Sequence, residues 1–176
     1  MTSVTDFATV AREVQRLVES FDEQEWSLPT PCDEWDVRAV VDHLLDVQGR
    51  FRVTMTGGEK PATSTFEDNT TALIAAFGQE GALERTVTTR LGHLPGRTAL
   101  DILTMEHLIH GWDLGRATGR TPSVGDSVVE RVIAFCEIMK PRLPPHLRNF
   151  KDAQPVTEGA SALDRLAALS GRTVTV

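Results

Sequence analysis

The sequence predicts an all-α fold, a four-helix bundle with one or two additional short elements. Three observations favour this class. Apolar residues recur every three or four positions along most of the chain, which is the period of an amphipathic helix. Glycine or proline follows most of these segments and predicts where each helix ends. Only one short stretch alternates as a strand does and is rich in β-branched residues.

The first half of the chain contains three predicted helices. The first covers residues 5–21, and residues 22–36, with two Pro and two Trp, form an ordered connection after it. The second helix runs from Val37 to Met55, because Asp36 is a favourable N-cap and a glycine pair stops the helix. A third, shorter helix is predicted over residues 64–77.

The second half begins with residues 85–91, which we expect to form a short extended spacer and not a sheet. The fourth predicted helix, residues 98–118, is apolar on almost every side, so it should be central or covered by a partner. A fifth helix is predicted over residues 125–140 and a small closing helix over residues 161–170. Four long helices without a repeat or a linker predict one domain over residues 1–176.

The composition is that of a globular protein with a net charge of −7, from 25 acidic and 18 basic residues. The basic residues are scattered, so we expect no nucleic-acid partner, which would need a basic stripe. No apolar run is long enough for a membrane span, and the N-terminus does not resemble a secretory signal. The sequence therefore predicts a cytoplasmic protein.

The two cysteines, Cys32 and Cys136, form neither a disulfide framework nor a Cys-x-x-Cys metal motif. Free cysteine is usually a small buried apolar residue, and we expect this of both. The alternative for Cys32, which lies shortly before a helix, is a reactive thiol with a lowered pKa.

A carboxylate and an imidazole lie four residues apart in the fourth helix. At about 100° per residue, Glu106 and His110 share one helix face, which is otherwise mostly apolar. The other members of this face are Ala99, Ile102, Leu103, Asp113 and Ala117. Burial of an uncompensated carboxylate is costly. The pattern therefore predicts a partner for Glu106, either a buried cation of the protein or a metal ion.

We expect His43 of the second helix to complete a metal site with Glu106 and His110, because the long chain between them allows the two helices to face each other. Two imidazoles and one carboxylate leave a position for water or substrate, as in catalytic zinc sites. Zinc is the first expectation, and nickel, manganese and iron are the alternatives. The sequence also allows His43 to bond to Asp42 or a backbone carbonyl, and the helix pair to be an ordinary ion pair.

The remaining polar residues near this face have simpler predicted roles. Asp113 lies one turn beyond His110. It is predicted to orient the His110 imidazole by a hydrogen bond to the ring nitrogen that does not face the metal, or else to pair with Arg116 at the surface. We expect His93 and His107 to be ordinary surface residues.

Three stretches of the chain carry a family resemblance. They are residues 26–44 (WSLPTPCDEWDVRAVVDHL), residues 106–119 (EHLIHGWDLGRATG) and residues 162–172 (ALDRLAALSGR). The first two resemble the ligand-bearing signatures, and the third the closing motif, of the mycothiol-dependent maleylpyruvate isomerase N-terminal-domain family. This family is part of the DinB-like metal-binding superfamily.

The resemblance implies a DinB-like bundle of up-down-down-up type that binds a divalent metal through His43, Glu106 and His110. Many DinB-like proteins have three histidines, so the glutamate at the middle position implies a different metal preference. The two-domain isomerase also has a C-terminal domain, for which we expect no room in a chain that ends at Val176. Maleylpyruvate isomerisation is therefore not implied.

Two functions of different classes fit these observations. The first is a metal-dependent S-transferase or isomerase, in which a low-molecular-weight thiol such as mycothiol or bacillithiol attacks a small electrophile and neither cysteine is the nucleophile. The alternative is a non-catalytic metal-binding or ligand-sensing bundle. An enzyme needs a cavity beside the metal ligands, and this feature separates the two.

A homodimer is a further expectation. The fourth helix has a second apolar face that needs a cover, from a partner or from the fifth helix. This face consists of Met105, Leu108, Ile109 and Trp112.

Overall fold

The computed structural model describes residues 1–33, 35–59, 61–142 and 151–174. Within these ranges the protein is mostly helical, and each helix begins and ends within two residues of its predicted bounds. Single turns of 3₁₀ helix cover Glu25–Ser27 and Lys140–Arg142. The longer elements are α1 (Val4–Glu19), α2 (Val37–Thr56), α3 (Phe66–Phe77), β1 (Thr86–Thr89), β2 (Gly92–Pro95), α4 (Gly96–Thr118), α5 (Asp126–Met139) and α6 (Ala162–Leu169).

Local sequence signals account for the helix ends. The Asp36 side chain accepts a hydrogen bond from the Ala39 amide at 2.8 Å, as predicted for the N-cap of α2. Ser3 forms a capping box at the start of α1. Gly57 and Gly119 end α2 and α4 with φ of +72° and +69°, a left-handed conformation that glycine adopts without strain.

Helix α4 is the centre of the packing. Helices α1 and α2 each contact α3 and α4, so these four helices form a closed circuit, and α5 and α6 pack on the outer side of α4. Each of the three apolar clusters of the core contains residues of α4. At Gly111, a Cβ atom would lie 2.9 Å from a methyl group of Val14, so the missing side chain permits the close approach of α1. The predicted helical class is confirmed, and the up-down-down-up topology stays a prediction.

The second apolar face of α4 is covered within the chain. Its residues join an apolar cluster with α5 and α6, and Trp112 donates its indole N–H to Asp164 of α6 at 2.8 Å. The exposed fractions of its four residues are 7% for Met105, 2% for Leu108, 2% for Ile109 and 4% for Trp112. The reason for expecting a homodimer is therefore lost, and the oligomeric state stays a prediction. Among the described residues, no helix is long and apolar enough to cross a bilayer.

The predicted spacer at residues 85–91 is instead part of a β-hairpin. Strand β1 pairs with β2 in antiparallel register, with Val87 opposite Leu94. The hairpin lies against the C-terminal end of α2, where the Thr54 hydroxyl donates to the Thr88 carbonyl at 3.3 Å and Arg85 donates to the Met55 carbonyl at 2.7 Å. The prediction of no sheet was wrong because the second strand, with Gly and Pro at its ends, lacks β propensity of its own and depends on its partner.

His107 also differs from its prediction as a surface residue, because its exposed fraction is 0%. Its Nδ1–H donates to the Leu103 carbonyl at 2.8 Å, so Nε2 is the acceptor for the Gln48 amide at 3.0 Å. The rings of Phe7 and Phe66 meet it edge-on. Burial lowers the pKa of His107 to about 4 and keeps the ring neutral.

The buried neutral ring of His107 predicts that acid destabilises the metal-free protein. The unfolded chain binds a proton with a pKa near 6.5, whereas the folded protein binds it at about 4. Stability is therefore complete above pH 6.5 and falls as the pH decreases toward 4, by about 2 kcal/mol between pH 7 and pH 5. Urea unfolding at several pH values measures this slope. The His107→Gln variant should have a smaller slope, and equal slopes in the two proteins would contradict this origin.

Candidate metal centre

Three side chains with metal-binding chemistry meet between α2 and α4. His43 Nε2 lies 3.1 Å from Glu106 Oε2, and His110 Nε2 lies 3.5 Å from the same oxygen. One ligand atom from each residue lies within 4.8 Å of the other two. The structure thus brings together the three residues that the sequence predicted to converge. Their role as metal ligands stays a prediction.

The backbone before α2 positions an aromatic ring on this cluster. A β-bridge between Pro29 and Asp36 orders the connection that precedes the helix. It places the Trp35 ring with its centroid 4.8 Å from that of His43 and 5.9 Å from that of His110. Packing against an indole restricts the rotamers of both imidazoles and so favours a fixed geometry of their nitrogens.

The arrangement fits a divalent metal ion. An ion that binds four ligands at about 2.0–2.1 Å separates the ligand atoms by about 3.3 Å. The two observed separations from the Glu106 oxygen, 3.1 and 3.5 Å, are close to this value. Among the described residues, Glu106 forms ion pairs with the two imidazoles and with no lysine or arginine. The predicted alternative of a buried cation of the protein stays a prediction beside the metal, since a protonated imidazole is such a cation.

The charges of this cluster depend on its hydrogen bonds. Burial alone would raise the pKa of Glu106, but hydrogen bonds with His110 and His43 outweigh burial and hold this pKa well below its usual range. Burial would lower the pKa of His110, but its bonds to Asp113 and Glu106 raise it. A metal binds carboxylate and neutral imidazole, so metal binding displaces a proton from His110. We therefore expect metal affinity to increase as the pH rises through this pKa.

Asp113 has the position predicted for a residue that orients His110. The His110 Nδ1–H donates to Asp113 Oδ2 at 3.0 Å, which leaves Nε2 as the free ligand atom. Arg172 donates to both oxygens of Asp113, from Nη2 at 2.8 Å and from Nε at 3.1 Å. The alternative partner, Arg116, has its guanidinium over the Trp112 ring at 5.5 Å.

Arg172 is the residue that sequence reasoning did not assign to the site. Its side chain is 10% exposed and that of Asp113 is 0% exposed, so the two form a buried ion pair. The only available signal was its place at the end of the closing motif, 59 residues from Asp113 in sequence. No local periodicity connects the two, because the contact joins α4 to the segment after α6.

The two cysteines differ in their positions. Cys136 is buried in the cluster under α5 and α6, as predicted. Cys32 is only half buried, and its sulfur lies within 4.8 Å of ligand atoms of His110 and Asp113. Both cysteines line the cavity, but the prediction of a buried apolar role is corrected for Cys32, because its thiol is only partly buried and lies beside polar groups. Burial, together with the charge of Asp113, raises the pKa of Cys32, which is opposite to the shift of an activated thiol.

A cavity of about 1250 Å³ adjoins the cluster. It lies between α2, α4, the β-hairpin, α5 and the segment that carries Arg172. The side chains of His43, Glu106 and His110 all form part of its wall. Glu106 is 25% exposed and His43 is 26% exposed, so a molecule in the cavity can reach both residues. This volume is somewhat larger than the usual range of about 300–1,000 Å³ for small-molecule sites.

The family resemblance was tested by comparison with known proteins. Residues 7–76 match the family model of the mycothiol maleylpyruvate isomerase N-terminal domain. This match confirms the resemblance; it includes His43 and ends before Glu106. The chain is also 29% identical to an uncharacterized protein of Mycobacterium tuberculosis strain CDC 1551, MT0763, over 83% of this chain and 84% of the relative. Rv0738 of strain H37Rv, also uncharacterized, gives the same values. No solved structure matches.

The convergence of three donors predicts about one divalent metal ion per chain. His110→Ala should abolish stoichiometric binding and Glu106→Gln should weaken it strongly, because each removes one donor. Elemental analysis of untagged, dialysed protein measures the metal content. His93→Ala is the matched control, since His93 lies exposed in the hairpin, and it should retain the metal. Stoichiometric metal in the His110→Ala protein would show that the assignment is wrong.

Removal of Arg172 should affect both stability and metal affinity. Arg172→Ala leaves the buried Asp113 carboxylate without its cation, which should cost about 3 kcal/mol in the free energy of unfolding. Because Asp113 then holds His110 less firmly, metal affinity should fall by about 10-fold or more. Urea unfolding and competitive metal titration measure the two effects. Arg165→Ala removes an arginine of α6 from an exposed pair with Glu130 and should change neither quantity. Unchanged values for Arg172→Ala would contradict the role of the buried pair.

Proposed function

We propose that this protein is a divalent-metal-dependent enzyme that uses a low-molecular-weight thiol, such as mycothiol or bacillithiol, to act on a small electrophile. The reaction is an S-transfer or a thiol-dependent isomerisation. The observation that carries the proposal is the position of His43, Glu106 and His110 in the wall of a large cavity. The match to a mycothiol isomerase domain supports the choice of thiol chemistry.

In this proposal the residues of the site have distinct tasks. His43, Glu106 and His110 hold the metal at the cavity wall, with zinc as the first expectation. Asp113 keeps the proton of His110 on Nδ1, and Arg172 fixes Asp113 from the other side. Trp35 packs on both imidazoles and restricts their orientation. The cavity takes the thiol and the electrophile together.

The metal would supply acidity to a thiol, because a thiol that coordinates a cation loses its proton near neutral pH. The protein has no thiolate of its own for this task. Burial raises the pKa of Cys136 to about 12, and burial also raises the pKa of Cys32. An external thiol therefore fits the site better than either cysteine.

The alternative is a non-catalytic metal-binding or ligand-sensing protein. A structural metal site is closed by protein ligands and needs no cavity beside it. Here all three proposed ligands adjoin a cavity that is large enough for two small substrates. This feature supports the enzyme over a purely structural metal site, and a sensor stays an outcome of the experiment.

The proposal predicts which side chains activity requires. Cys32→Ser and Cys136→Ser should each keep most of the activity, because neither sulfur is the nucleophile. His43→Ala should lose activity together with the metal. The measurement is mass spectrometry of conjugates after incubation of metal-loaded protein with mycothiol or bacillithiol and a panel of electrophiles.

Metal-free protein is the control for this assay, and metal content is measured in every variant. No product above the metal-free control with either thiol would favour the non-catalytic alternative. Activity that disappears in Cys32→Ser while the metal remains bound would identify Cys32 as the nucleophile and overturn this mechanism.

A further inference from the structure

The wall of the cavity is rich in positive charge, although the chain as a whole is acidic. Five cationic side chains line it, against three carboxylates, whereas the whole sequence has 18 basic and 25 acidic residues. The carboxylates are Asp33, Asp46 and Glu106. The cations are Arg50, Arg90, Lys140, Lys151 and Arg172. Positive charge that is concentrated in a cleft attracts an anionic ligand.

Four of these cations have partners within the protein. Arg172 is bound by Asp113, and Lys151 pairs with Asp33. The ammonium group of Lys140 donates to the carbonyl oxygens of Lys151 and Leu169 at 2.9 and 3.0 Å. These contacts fix the segment around Arg172. They also occupy hydrogen-bond donors of Arg172, Lys140 and Lys151. The fourth is Arg50, which pairs with Asp46.

Arg50 is placed by α2 at a set distance from the proposed ligands. It lies seven residues after His43, about two helical turns and about 10 Å along the same face. Its side chain is 29% exposed and pairs with Asp46 one turn earlier. A guanidinium has five N–H donors, so one carboxylate leaves donors for a ligand. Arg50 thus lines the same cavity as the imidazoles, about two helical turns from His43.

Arg90 approaches Arg50 from the tip of the β-hairpin, which the contacts of Thr54 and Arg85 hold on α2. Within the described part of the chain, Arg90 forms no hydrogen bond or ion pair. Its charge also acts on Arg50, since burial and the proximity of Arg90 lower the pKa of Arg50, while Glu106 raises it. Asp46 is the ion-pair partner of Arg50, whereas Arg90 has none among the described residues, so the two arginines together favour a further anion.

Part of the cavity wall is apolar. It contains side chains from α2, the hairpin, α4 and α5, and it offers an aromatic or branched molecule a large contact area. The side chains of this wall are Val47, Phe51, Leu91, Ile102, Met105 and Phe135.

We propose that Arg50 and Arg90 form a binding subsite for a carboxylate, so that the substrate of this cavity has an apolar body with a carboxylate at one end. Two planar guanidinium groups match the planar geometry of a carboxylate. With the carboxylate at the arginines, the other end of a molecule about 10 Å long reaches His43 and Glu106. This inference rests on the proposed function in one respect: the proposed function makes the end near His43 and Glu106 the end that reacts.

The test uses 4-phenylbutyrate as the anionic probe and its amide, 4-phenylbutyramide, as a neutral probe of the same shape. Isothermal titration calorimetry measures binding to the full chain, both metal-loaded and metal-free. The acid should bind at least about ten-fold more tightly than the amide, because a charge-assisted hydrogen bond contributes about one power of ten. The double variant Arg50→Gln, Arg90→Gln should lose this preference and bind both probes equally.

Arg97→Gln is the matched control, because Arg97 is 34% exposed, pairs with Glu84 and does not line the cavity. It should keep the preference for the acid, and circular dichroism verifies that every variant is folded. Equal binding of acid and amide to the wild-type protein, no binding of the acid at millimolar concentration, or an unchanged preference in the double variant would each overturn the subsite.

A second set of titrations separates this inference from the proposed function. The His110→Ala protein should lose the metal and keep the preference for the acid, because the arginines do not depend on that histidine. If the wild-type protein shows the preference for the acid but binds no metal, the subsite stands and the metal-dependent function fails. If metal binds and thiol conjugation occurs without any preference for the acid, the function stands and the subsite fails.

Discussion

The carboxylate of Glu106 lies on helix α4, most of whose other residues are buried. The packing around this helix depends on the groups that compensate the charge of this carboxylate. A buried carboxylate is costly unless hydrogen bonds or cations compensate it. Here two imidazoles, one from α2 and one from the next turn of α4, supply the compensation. The close packing of α2 on α4 therefore also creates the cluster of donors. The contact between α2 and α4 compensates the Glu106 carboxylate and also brings three candidate metal ligands together.

The cluster is held by a chain of contacts that reaches the C-terminal part of the protein. Asp113 fixes His110, and Arg172 fixes Asp113 with two hydrogen bonds in a nearly dry environment. Helix α6 and the segment after it are thus more than a cover for α4. They supply the cation that allows a second carboxylate to be buried one turn from the site. Stability and site geometry depend on the same pair.

Positive charge is concentrated in the cavity of this acidic protein. The imidazole cluster, two arginines and several apolar side chains all line this cavity. The concentration of cations does not follow from composition, because they come from α2, from the hairpin and from the C-terminal segment. A site that combines candidate metal ligands with cationic side chains restricts both the orientation and the chemistry of its ligand.

The sequence by itself determined the helices, their ends and the pair Glu106 and His110, because periodicity, capping and spacing of four residues act within one segment. It also predicted His43 as their partner. Only the tertiary structure decided that Arg172 binds Asp113, that Cys32 borders the cavity and that His107 is buried as a neutral ring. It also paired the strand after Leu91 with β1. Each of these depends on contacts between segments distant in sequence, and local periodicity carries no information about which segments meet.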